Sequence, residues 1–111
     1  MATYVMLTRV SPEVARSPQT LEELERKAMD QIGTHCPEVK WRQSFAILGP
    51  YDYLDIFDAP DNDTATKVST LIRAYGRAHS EIWVATEWQR FKAMLHGLGP
   101  RPLGSPAVKL E

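Results

Sequence analysis

Gly49-Pro50-Tyr51-Asp52-Tyr53-Leu54-Asp55-Ile56-Phe57-Asp58-Ala59-Pro60-Asp61 reads as a turn, a strand and the start of a helix. Gly49 tolerates positive φ and Pro50 fixes its own φ, so the pair is turn chemistry. Tyr51 to Ala59 alternates and is rich in aromatic and branched side chains, which suits a half-buried pleated surface. Leu54 and Ile56 share one face, with Asp52 and Asp58 at its ends. Tyr51, Tyr53, Asp55 and Phe57 share the other. Pro60 has no N–H to give a ladder, so the strand stops there. Asp61, Asn62 or Asp63 then caps a helix.

Upstream, Val39 to Leu48 alternates, with Val39, Trp41, Phe45 and Ile47 on one face and Lys40, Arg42 and Ser44 opposite. Those charges suit an edge strand. The tight Gly49-Pro50 turn makes it antiparallel to the strand that follows. Thr3 to Val10 is apolar on both faces, with Val5 and Leu7 one way and Tyr4, Met6 and Val10 the other, as in a central strand. Between these strands, Leu21, Leu24, Ala28 and Ile32 fall on one helical stripe. Ser17-Pro18 suits the start of that helix, with a Thr20/Glu23 capping box as the alternative, and Gly33 suits its end. Downstream, Ala65, Val68, Leu71, Ile72 and Tyr75 make a second stripe that closes near Gly76. Glu81 to Trp88 supplies a fourth strand, and Trp88, Phe91 and Leu95 a short last helix.

The order β-α-β-β-α-β predicts an α+β, ferredoxin-like sandwich: two helices on one face of a four-stranded antiparallel sheet, strands one and three in the centre. Residues 1–96 form this single domain, and the Gly/Pro-rich residues 97–111 an irregular C-terminal tail.

Two helices cover one face of the sheet only. The Tyr51, Tyr53 and Phe57 side of strand three, with one side of strand one, is expected to be the uncovered face. An apolar face of that kind marks a partner or ligand surface. A second copy related by a two-fold axis is the simplest cover, so a homodimer is expected.

A net charge of −1 over 111 residues gives no basic footprint for nucleic acid and no attraction to anionic membrane. No run approaches the roughly 18 apolar residues of a membrane span. No signal-peptide pattern opens the chain, and the single Cys36 precludes an internal disulfide. A cytoplasmic protein with no nucleic-acid or membrane partner is the expectation.

The Gly-X-Tyr-Asp of Gly49 to Asp52, the apolar run after it and Ala59-Pro60-Asp61 together resemble the signature of the GYD domain family. The N-terminal strand and the Glu81 to Thr86 strand sit where that family has them, so the resemblance spans residues 3–88. It implies a ferredoxin-like fold that dimerises as an α+β barrel, and it brings no catalytic set. Asp55 departs from the pattern, where an apolar residue is expected, and the chain past Trp88 lies outside it.

Four residues are the candidate ligand site: Asp52, Tyr53, Asp55 and Phe57. Asp52 either binds an amine or accepts nearby backbone N–H groups, as Asp often does in turns. A similar Gly-X-Tyr-Asp segment occurs in ligand-binding regulatory domains of the Lrp/AsnC type, which resemble this fold. Asp55, between two aromatics, needs a cation, a donor, water or a proton if it is buried. It is therefore a base or a ligand anchor on one reading, and a partly solvated Asp or one paired with Arg or Lys across a dimer on the other. His35, Cys36, His79 and His96 match no metal spacing, and no phosphate-binding or nucleophile motif is present, so no cofactor, metal or catalytic residue is assigned. Aromatics on strands one and three resemble the stacking platform of RNA-recognition motifs, but Asp52, Asp55 and Asp58 make that strand acidic where a phosphate backbone needs Lys or Arg. The expected function is a non-enzymatic, homodimeric module binding a small organic molecule at the sheet face or dimer interface. The alternative is a cofactor-independent oxygenase or isomerase of the dimeric α+β-barrel type.

Overall fold

A computed structural model describes residues 1–13 and 17–99. Seven elements follow in order: β1 (Ala2–Val10), α1 (Pro18–His35), β2 (Lys40–Ala46), β3 (Tyr53–Ala59), α2 (Asn62–Tyr75), β4 (Ala78–Ala85) and α3 (Trp88–His96). The strands form one antiparallel sheet in the order β2-β3-β1-β4, the ferredoxin-like arrangement with β1 and β3 central. Residues 100–111 of the expected tail lie outside the described residues.

Local chemistry sets the element ends. Ser17 caps α1 by accepting the Thr20 N–H, with Pro18 in the first turn, where its missing N–H costs nothing. The helix runs through Gly33, the expected stop, and ends at His35. An exposed glycine lowers helix propensity by about 1 kcal/mol without breaking the ladder. Asp61 caps α2, accepting from both the N–H and the hydroxyl of Thr64. Gly49 takes φ 140° in the β2–β3 turn, a conformation that a Cβ disfavours. Gly76 caps α2 at its C-terminus, and Arg77 follows in the left-handed region at φ 49°.

The core lies between the helices and one face of the sheet. Tyr4, Met6, Phe57 and Ala59 from the strands meet Ala28, Ile32, Ala65, Val68 and Ile72 from α1 and α2. Phe57 stacks between Tyr4 and Trp41, with ring centroids 5.5 and 5.2 Å away. The Tyr4 hydroxyl donates to Asn62 Oδ1 at 2.6 Å, so this buried polar atom is satisfied.

This packing reverses the face assignment expected for β3. Tyr53, Asp55 and Phe57 point toward the helices, and Leu54 and Ile56 lie on the helix-free side, beside Val5 and Leu7 of β1. Both sets are apolar enough to be buried. The small Ala28 and Ala65 on the helices leave room for wide rings, so the aromatic set fills that side. Tyr51 precedes the strand and leaves its alternation. Its hydroxyl donates to the Glu81 carboxylate and the Arg9 guanidinium lies 5.6 Å over its ring, both on the helix-free side.

A second correction concerns β2. The register runs Trp41↔Phe57 and then Gln43↔Ile56, leaving Arg42 as a bulge. The extra residue flips the alternation beyond it. Trp41 and Ser44 therefore share the helix side, whereas Phe45 pairs with Leu54 on the other, 45% exposed.

Candidate functional site

The two helices do not sit on the sheet equally. α2 packs closely on β4 and touches β3, while the backbone of α1 packs on α2 and stands off from the strands. The gap is a cavity of about 560 Å³ between α1 and the sheet. Leu21, Leu24 and Met29 of α1 form its apolar roof, and Thr8, Tyr53, Asp55, Trp41 and Ser44 belong to its floor. The β2 edge beside it is exposed along nearly its whole length.

The polar end of the cavity is a product of the bulge. Trp41 and Ser44, three apart, would face opposite ways on a regular strand. With Arg42 out of register, both turn toward Asp55, and the Trp41 indole N–H donates to Ser44 Oγ at 2.8 Å. Burial pushes the Asp55 carboxyl above its ordinary range; Ser44 and Trp41 as hydrogen-bonding neighbours draw it back, and Glu25 of α1 raises it further. Burial also raises the Tyr53 phenol, with Asp52 and Glu25 adding to the effect. Thr8, 5% exposed, has a hydroxyl with no hydrogen-bond partner, an uncommon state for a buried polar atom.

Of the four residues singled out from the sequence, the structure brings Tyr53 and Asp55 together at this cavity. Phe57 is wholly buried in the core beneath. Asp52 turns away: its carboxylate accepts the Val10 N–H at 2.9 Å, its own N–H donates to Thr8 O at 2.8 Å, and its carbonyl accepts from Ile47 at 2.9 Å. It ties the start of β3 to the end of β1, the backbone-acceptor role set beside ligand binding for this residue. Thr8, Trp41, Ser44 and the α1 roof were not singled out from the sequence. The one signal for them was Asp55 itself, a mid-strand carboxylate that requires polar neighbours.

Cys36 is buried at the end of α1, where burial pushes its thiol up, the state of an unreactive core cysteine. Its neighbour His35 faces solvent and pairs with Gln31. Among the described residues, no three His, Cys, Asp or Glu side chains converge to hold a metal ion. None of the described helices is long and apolar enough to cross a membrane.

The molecule is thus a ferredoxin-like α+β domain with a cavity on the helix side of its sheet and an apolar face on the other. The family model for the GYD domain matches residues 4–95, and the chain belongs to that family. The match extends past Trp88 to take in α3. No curated protein sequence matches the chain. Among solved structures, the leucine response regulatory protein of Mycobacterium tuberculosis is similar in fold, with a TM-score of 0.51 at 10% identity over 78% of this chain. The chain spans about half of that protein, 51% of its length.

Proposed function

We propose that this chain is a non-enzymatic, homodimeric binding module that takes a small organic ligand in the cavity between α1 and the sheet. The observation that carries the reading is an apolar cavity whose floor holds a half-buried carboxylate, Asp55, and an unpartnered hydroxyl, Thr8. Ligand pockets have that composition: mostly apolar walls with a few placed polar groups. Leu24→Trp fills the cavity from its roof. Small-molecule hits from a thermal-shift screen of the wild type are expected to be lost in this variant, with its circular dichroism spectrum unchanged. Hits kept at equal affinity would overturn the cavity as the site.

Two further surfaces support the dimer. The helix-free face carries Val5, Leu54 and Ile56, flanked by Phe45 at 45% and Trp83 at 55% exposure. α3 has no buried residue, and its Trp88, Phe91 and Leu95 form an unpartnered stripe. A two-fold pairing of sheet faces covers the first with the same surface of a second copy. Light scattering is expected to give twice the 12.6 kDa chain mass. Ile56→Lys is expected to give monomer, because an interface core disfavours lysine; an unchanged mass would place the interface elsewhere.

A second reading has one observation in its favour. A carboxylate with a raised pKa in an apolar cavity is the form a general base takes. As an enzyme, the wild type would convert a bound ligand, and Asp55→Asn would bind it without turnover. As a binding module, it would return the ligand unchanged by mass spectrometry.

A further inference from the structure

The walls of the cavity are one-sided in charge. Glu22 and Glu25 stand at the α1 rim and Asp55 on the floor, and among the described residues no Lys, Arg or His lines it. Arg9, the charged residue next to Thr8 on β1, lies on the opposite face of the sheet, over Tyr51. A carboxylate in a region of lowered dielectric requires compensation, and Ser44 and Trp41 offer it dipoles and no positive charge. An anionic ligand would meet three carboxylates.

Thr8 supplies the second, independent mark. In the β1–β3 register Asp55 lies opposite Met6 and Thr8 opposite Tyr53, so Thr8 and Asp55 are diagonal neighbours on the helix side. Such positions are about 7–8 Å apart, a span that one small polar group can bridge. Its hydroxyl is buried and unpaired, and so is free to accept. An ammonium carries three donors and no acceptor, which matches a carboxylate on one side and a hydroxyl on the other. The Leu21, Leu24 and Met29 roof provides an apolar surface for the body that bears it.

We infer that the ligand of this cavity is an organic cation, an amine on a compact apolar body, held with its ammonium between Asp55 and Thr8. The inference rests on the cavity being the ligand site, and one titration separates the two. Benzylammonium, benzyl alcohol and phenylacetate share an apolar body and differ in charge. Each is titrated into the full-length protein, followed by the amide signals of Thr8, Leu24 and Asp55 and the Trp41 indole signal. Benzylammonium is expected to shift these saturably and to bind tightest. Asp55→Asn is expected to weaken it about tenfold or more, and Thr8→Val about fivefold, with benzyl alcohol unaffected by Asp55→Asn. Benzyl alcohol or phenylacetate binding at these signals as tightly as benzylammonium would overturn the cation and leave the cavity standing. No shift from any of the three, or shifts confined to Leu54 and Trp83 on the helix-free face, would overturn both.

Discussion

Asp52→Ala removes a single side-chain bond whose neighbours can be counted. The carboxylate accepts the Val10 N–H at 2.9 Å, while the two backbone bonds of residue 52, to Thr8 and from Ile47, do not depend on the side chain. A hydrogen bond to a charged acceptor contributes about 1.5–3 kcal/mol net. Val10 is half-buried, so water reaches its orphaned N–H in part, and the lower end applies: about 1.5–2 kcal/mol. For a domain of this size each kcal/mol moves Tm by about 4–8 °C, so the expected fall is about 6–16 °C. Asp52→Asn keeps an acceptor in place and is expected to lose about half as much, the difference between a charged and a neutral bond. Calorimetric melting at fixed protein concentration measures both, since self-association adds to apparent stability. A Tm for Asp52→Ala within about 2 °C of wild type, or equal losses in the two variants, would refute a clamp between β3 and β1.

Gly49→Ala introduces a Cβ at φ 140°; open space around it leaves only backbone strain, and urea denaturation is expected to show a loss of about 1–2 kcal/mol. Arg77→Gly relieves a left-handed residue just past α2 and is expected to gain up to about 1 kcal/mol in the same assay. Asp55 has a folded-state pKa above its ordinary 3.8, so the unfolded chain releases the proton first and ionisation works against the fold as pH rises through the raised value. Asp55→Asn is therefore expected to melt higher than wild type at pH 7, with the advantage shrinking as pH falls through the raised value to below 3.8, where both states hold the proton. A constant difference across that range would show that Asp55 ionises freely.

The element order, the antiparallel turn at Gly49-Pro50 and the central places of β1 and β3 were legible in the sequence, with Ser17 and Asp61 among the alternative caps it offered. Each depends on interactions within a few residues, or on a period that any strand or helix must obey. The family signature was legible as residue types, Gly49 in a local turn with Asp52 beside it, although the Asp52 clamp itself reaches Val10, 42 residues away. The α1 end was misread at Gly33, where propensity is a weak preference that the intact ladder overrides.

Which face of β3 meets the helices was a tertiary decision. A period of two states that Tyr53, Asp55 and Phe57 travel together, and is silent on the direction when Leu54 and Ile56 are equally apolar. The volume left by Ala28 and Ala65, contributed by two separate helices, made the choice. The same holds for the cavity. Its polar end depends on Arg42 slipping out of register against the neighbouring strand β3, and its space on α1 docking to α2 rather than to the sheet. Residue types and their spacing determine what can be buried; only long-range packing determines against what, because neither a bulge nor a gap between layers leaves a periodic trace in the chain.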